Sequence, residues 1–211
     1  MLPTDKQLES LKKVIDIKGN RRVTKFIEEN ETLKQGLIVL SGDSIIENYH
    51  VEEYFDNNVV NRGIAGYTTK DFLEVFDKIV VPLNPSKLFL HIGSNDLVLL
   101  HASKEEALIN ILNTLDYVKT KLPQTKVYYL SLTPVLPLEH KKTRALYVAN
   151  RTNEELDEMN QILAQKVENF IDINDSLKDG AGVLEEWYTD DGIHLNHYGY
   201  VEISSIIKTY I

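Results

Sequence analysis

The sequence predicts an α/β fold, a three-layer doubly wound parallel sheet, on three observations. Short apolar runs rich in β-branched and aromatic residues alternate with segments whose apolar residues recur at helical spacing. Most of the runs are long enough to be strands buried on both faces, as in a parallel sheet covered by helices. The unusual polar residues stand just after the runs, at the strand carboxyl ends where such sheets hold ligands.

Taken in order, residues 1–35 form a leader that reads as helical, with Leu8, Leu11, Val14 and Ile15 as an apolar stripe. Packing of this helix on the sheet edge and packing on a partner subunit both remain open, and the leader is a candidate contact of a homodimer. Residues 36–211 read as one domain. Five runs are its expected strands: Leu37–Leu40, Val59–Asn61, Leu88–Ile92, Val127–Leu132 and Phe170–Ile173. Val59–Asn61 is the shortest. Helical spacing follows at Phe72, Val75, Phe76 and Ile79, then from Ala107 to Val118, then from Asn153 to Val167, with Tyr200, Ile203, Ile206 and Ile207 in a closing helix. Residues 134–152 make a long connection after the fourth strand, of the kind that borders sites.

Composition narrows the function. The chain of 211 residues has 43% hydrophobic and 26% charged residues, ordinary for a soluble globular protein. A formal net charge of -9 with scattered lysines and arginines argues against a nucleic-acid partner. The absence of cysteine removes a disulfide framework, a thiolate metal site and a cysteine nucleophile. The start carries no apolar signal region, and no segment approaches the roughly 18 apolar residues of a membrane span. A cytoplasmic location is the expectation.

Four segments carry candidate chemistry. Gly42-Asp43-Ser44 ends the first run, and Ser44 then stands at a helix N-terminus, where backbone N–H groups favour negative charge. Asp43 or Ser44 also reads simply as a helix cap. After the second run, Gly63 is either a turn glycine or a backbone N–H open to a substrate oxygen. After the third, Asn95 is a turn residue or an amide donor, and Asp96 fits the ordering of that loop. Near the end, Asp191 precedes His194 by three residues, a spacing that sets a carboxylate against one imidazole nitrogen and leaves the other to take the Ser44 proton. The alternative there is a solvated acidic turn capping the last helix.

These blocks, with Asn61-Arg62-Gly63-Ile64 and Gly93-Ser94-Asn95-Asp96 in full, resemble the SGNH hydrolases, the GDSL-like lipase/acylhydrolase superfamily. The likeness is greatest to the branch of the platelet-activating-factor acetylhydrolase catalytic subunits and spans about residues 37–211. It implies a five-stranded sheet of flavodoxin-like order 2-1-3-4-5. It implies Ser44 as nucleophile, His194 as general base and then acid, and Asp191 as its orienting group. The oxyanion hole implied is Ser44 N–H, Gly63 N–H and the Asn95 side chain. The reaction implied is acyl transfer on a small-molecule ester, short-chain with acetyl among the candidates, with neither metal nor other cofactor.

Asp43, Tyr67, Asp96 and Trp187 are candidate pocket residues, with core packing the alternative for Tyr67 and Trp187. His197, three after His194, lacks a third ligand and fits a helix surface better than a metal site. Two other classes compete with the esterase. A nucleotide-binding doubly wound protein is disfavoured, because no G-x-G-x-x-G or G-x-x-x-x-G-K-[ST] follows the first strand. A non-catalytic scaffold on the same fold would be expected to have lost one of Ser44, Asn95, Asp191 or His194.

Overall fold

The computed structural model describes residues 2–56 and 58–211. Its sheet has the strands β1 (Ile38–Gly42), β2 (Val59–Gly63), β3 (Lys87–His91), β4 (Lys126–Leu130) and β5 (Phe170–Ile171). All pairs are parallel and the order is β2-β1-β3-β4-β5, as the resemblance implied. The helices, in chain order, are α1 (Asp5–Asn30), α2 (Ser44–Glu47), α3 (Val51–Tyr54), α4 (Thr69–Ile79), α5 (Asp96–Leu99), α6 (Lys104–Lys121), α7 (Ala145–Val148), α8 (Asn153–Lys166) and α9 (His197–Ile207).

Successive strand residues point to opposite faces, and here both faces are dry. Val39, Leu88, Leu90, Val127 and Tyr129 meet α4, α6 and α8 through Phe72, Phe76, Ile111, Leu115 and Met159. Leu40, Phe89, Tyr128 and Leu130 meet the other layer, where α9 contributes Tyr200, Ile203 and Ile207 and α2 contributes Ile45 and Ile46. This is why the strand runs are continuously apolar.

The strand limits differ from the apolar runs for visible reasons. β1 and β2 continue through polar Ser41 and Arg62, because the ladder Leu40↔Asn61, Ser41↔Arg62 and Gly42↔Gly63 is a backbone matter. β4 and β5 stop early because side chains take over the ladder. Asn160 Oδ1 accepts from Leu132 N (2.8 Å) while its Nδ2 donates to Leu132 O (2.9 Å), and Ser131 Oγ accepts from Ile173 N (2.8 Å).

Helix α1 starts with a capping box, in which Thr4 Oγ1 accepts from Gln7 N and Thr4 N donates to Gln7 Oε1. It lies along α4, burying Val23 and Phe26 in the core on that face. The Phe26 ring is flanked by the Arg22 and Arg62 guanidinium groups at 4.9 and 4.5 Å. Arg62 also donates to Glu29 Oε2 (3.0 Å) and Asn30 Oδ1 (2.9 Å), which ties the end of α1 to β2. Among the described residues, no helix is long and apolar enough to cross a membrane.

Candidate active site

The turn after β1 separates the roles that Asp43 and Ser44 compete for in the sequence. Asp43 is the cap: its Oδ1 accepts from Ile45 N (3.0 Å) and pairs with His91 Nδ1 (3.0 Å), and all of it is buried. Its own N–H donates to His91 O (3.1 Å) across the strand ends. Ser44, freed from capping, opens α2 with its hydroxyl 3.0 Å from His194 Nε2.

The Asp191–His194 turn is held from below by Thr189, whose hydroxyl accepts from Gly192 N (2.9 Å). Asp191 Oδ1 accepts from the backbone N–H of both Ile193 (3.1 Å) and His194 (2.9 Å), and Oδ2 lies 2.7 Å from His194 Nδ1. A carboxylate there fixes the tautomer, with the proton on Nδ1 and Nε2 left to accept from the Ser44 hydroxyl. Burial pushes the Asp191 carboxyl up. The hydrogen bond and charge of His194, with the two backbone donors, outweigh it and hold the group below its ordinary value.

Asn95 enters the same space from the turn after β3. Its Nδ2 donates to Tyr67 O (3.0 Å), and its Oδ1 accepts from Arg151 Nη2 (2.7 Å). Arg151 is only 5% exposed, and burial brings its guanidinium down to about 10, with the Asp43 charge opposing.

The Gly63 expectation needs correction. Gly63 N–H donates to Asn61 Oδ1 (2.8 Å), and its carbonyl accepts from Arg22 Nε of α1 (2.6 Å). The residue is therefore turned into the β2 end, outside the lining of the pocket. Three residues on, Gly66 does line it, at φ +75°. Among the described residues, neither Gly66 N–H nor Ser44 N–H donates to a protein group. The loop between them is braced by Glu47, whose Oε2 accepts from Ala65 N (2.6 Å) and lies 3.4 Å from Arg22 Nε.

Ser44, Asn95, Gly66, Asp191 and His194 border one pocket of about 420 Å³. Helix α1 forms one wall through Leu11, Val14 and Ile15, so the leader is part of the cavity. Leu146 and Tyr147, from the 134–152 connection, form another. The pocket candidates Asp43, Tyr67, Asp96 and Trp187 lie elsewhere. Asp43 is beneath Ser44. The Tyr67 side chain is in the core, leaving only its carbonyl for Asn95. Asp96 is fully buried, where it accepts from Thr69 N (2.8 Å), Thr69 Oγ1 (2.5 Å) and Asn110 Nδ2 (3.0 Å). Trp187 is 70% exposed on a 3-10 turn outside the cavity. His197 is exposed, with Nδ1 2.9 Å from Tyr54 OH.

Sequence reasoning missed Gly66, Arg151 and the α1 wall. Gly66 had a signal, as the second glycine of its block. Arg151 had none, since its partner Asn95 is 56 residues away.

The chain spans only about 40% of the length of the curated relatives it matches. One of these is the N-acylneuraminate cytidylyltransferase of Escherichia coli, 32% identical over 81% of this chain and 40% of that protein. A Streptococcus pneumonia protein provisionally described as a platelet activating factor superposes with TM-score 0.85, at 32% identity and 99% coverage of both chains. A GDSL-like lipase of Bacteroides thetaiotaomicron, at 22% identity, shares the fold with TM-score 0.71 over 89% of this chain and 96% of that one. The sequence profile of the GDSL-like lipase/acylhydrolase family matches residues 41–201. The chain belongs to the GDSL-like lipase/acylhydrolase family.

Proposed function

We propose that this protein is a serine esterase that cleaves a short-chain ester, acetyl being the simplest case, with Ser44 as nucleophile. The observation that carries this reading is the continuous relay from Ser44 Oγ to His194 Nε2 (3.0 Å) and from His194 Nδ1 to Asp191 Oδ2 (2.7 Å), opening on the pocket.

In this reading Ser44 Oγ attacks the ester carbonyl as its proton passes to His194 Nε2. The carbonyl π electrons move to oxygen, and that oxyanion accepts from Ser44 N–H, Gly66 N–H and Asn95 Nδ2. The tetrahedral adduct collapses, the C–O bond to the alcohol breaks, and His194 returns the proton to the leaving oxygen. Water then attacks the acyl-serine with the same proton shuttle and releases the carboxylic acid. Asp191 keeps the imidazole in the working tautomer and faces the imidazolium formed in each half. Gly66 replaces Gly63 as the second backbone donor, because the Gly63 N–H is already committed to Asn61.

The preference for a small substrate is supported by the pocket, whose volume of about 420 Å³ lies low in the range of roughly 300–1,000 Å³ for ligand sites. The Escherichia coli relative is named for cytidylyl transfer. The match covers 40% of that protein, and the relay in this chain suits acyl transfer, so no cytidylyl transfer is proposed. The test is hydrolysis of p-nitrophenyl esters of rising acyl length beside acetylated sugars and an acyl-thioester. Turnover greatest on acetate or propionate esters is expected, and no turnover on any member of the panel would contradict the reading.

A further inference from the structure

We propose that Arg151 is the positioning residue of the oxyanion hole, setting which face of the Asn95 amide meets the substrate and strengthening it as a donor. The proposal rests on the reading of Asn95 as an oxyanion donor.

Arg151 lies between α7 and α8, and its guanidinium is inside the protein with no carboxylate within ion-pairing distance among the described residues. A buried cation with no carboxylate in contact, only the more distant charge of Asp43, is costly unless its donors are met. Four of its five N–H groups are met by neutral oxygens. Nε donates to Ser94 O (3.1 Å), Nη1 to Tyr147 O (2.8 Å) and Val148 O (3.1 Å), and Nη2 to Asn95 Oδ1 (2.7 Å). The planar fork thus grips the Asn95 loop at two points, the carbonyl before Asn95 and the Asn95 side chain itself. Simple loop closure would be served by the backbone contact alone.

The consequence for Asn95 follows from the chemistry of a primary amide. Its two ends are similar in shape and opposite in polarity. A flip would present Oδ1 to the position of the developing oxyanion, where it would repel. Arg151 has only donors, so it admits only Oδ1 on its side. Nδ2 is then directed toward Tyr67 O (3.0 Å) with its second hydrogen unclaimed among the described residues. A cation one hydrogen bond behind the amide also draws electron density from Nδ2–H, and in a low-dielectric setting that effect is larger than in water. Lysine cannot reproduce this, because an ammonium group lacks the flat fork that reaches Ser94 O and Asn95 Oδ1 together.

The test is a double-mutant cycle of Arg151→Lys and Asn95→Ala, with kcat and KM on p-nitrophenyl acetate and thermal melting of each protein. Asn95→Ala is expected to lower kcat on the order of 10²-fold or more. Arg151→Lys should lower kcat roughly 10- to 100-fold with a smaller change in KM, the range seen when a group that orients an active side chain is replaced. In the Asn95→Ala background, Arg151→Lys should then cost almost nothing further in kcat, because the group it positions is gone. Arg151→Gln, neutral and still able to donate to Asn95 Oδ1, takes the place of Arg151→Lys if the lysine variant does not fold. Equal fold-losses from the Arg151 change in both backgrounds, or a loss of melting temperature with kcat unchanged, would overturn the positioning role while leaving the oxyanion hole intact. An Asn95→Ala protein with full kcat would instead overturn the oxyanion reading and this inference with it.

Discussion

Replacing Gly66 by alanine separates an oxyanion donor from a turn residue, and the structure sets the size of both effects. Gly66 has φ +75°, a conformation that costs an L-residue about 1–2 kcal/mol. The added Cβ would also crowd Ile15 Cδ1 and fall 2.7 Å from its Cγ1 on α1, so that β-branched side chain must shift as well. For a chain of this size the conformational cost alone lowers Tm by roughly 2–8 °C, and the Ile15 contact adds to it. A protein stable by about 5–15 kcal/mol stays folded. Activity should fall much further than stability. Straining the backbone at this position displaces the N–H proposed as a donor, and loss of one oxyanion donor costs on the order of 10² to 10³ in kcat. Gly63→Ala is the control with the opposite balance. Its Cβ would meet Ile46 C at 2.6 Å and the Glu47 N atom, backbone that cannot yield without moving α2. That variant should lose stability first. The assay is kcat on p-nitrophenyl acetate alongside calorimetric melting of both variants. A Gly66→Ala protein within about two-fold of wild-type kcat, with Tm lowered as expected, would refute the donor role and leave Gly66 as a turn.

Two more outcomes can be checked on the same substrates. Asp191→Asn should lower kcat on the order of 10⁴-fold, because an amide offers its NH2 to His194 Nδ1 as readily as its oxygen and the tautomer is lost; a loss under about ten-fold would count against the orienting role. Because the folded Asp191 carboxyl sits below its ordinary value, its contribution to stability is complete above about pH 4 and is lost as pH falls through the folded value. The Tm gap between wild type and Asp191→Asn should accordingly be largest near neutrality and close in strong acid, and a gap that widens in acid would contradict the sign. Leu11→Ala removes part of the α1 wall and should raise the butyrate-to-acetate ratio of kcat/KM by roughly ten-fold, the worth of a methylene or two in an apolar pocket. An unchanged ratio would mean that α1 does not limit the acyl group.

The layered sheet was legible because β1, β3 and β4 are buried on both faces and so carry unbroken apolar runs. Strand ends were not, since Ser41, Arg62 and Gly63 extend the ladder through backbone groups that no side-chain pattern marks, and Asn160 ends it from a helix. Ser44, Asn95, Asp191 and His194 stand in short local motifs, and the fold brings them to one pocket. What stayed hidden depends on contacts between distant segments. Whether Gly63 or Gly66 presents its N–H turns on Asn61 and Arg22, and the importance of Arg151 turns on Asn95. The low apolar contrast of α1 left its placement undecided, and polar anchors such as Arg22, Glu29 and Asn30 fix it. Trp187 invites a pocket role by its position near Asp191, yet its turn faces solvent.

The central claim is that Ser44 is the nucleophile activated by His194, and covalent labelling addresses it without knowledge of the natural substrate. The purified protein would be treated with a fluorophosphonate and the modified residue located by peptide mass spectrometry. A single phosphonylated residue at Ser44 is predicted, with labelling abolished in Ser44→Ala, strongly slowed in His194→Ala, and lost in parallel with p-nitrophenyl acetate turnover. Labelling at another residue, or full ester turnover by the Ser44→Ala protein, would contradict the account.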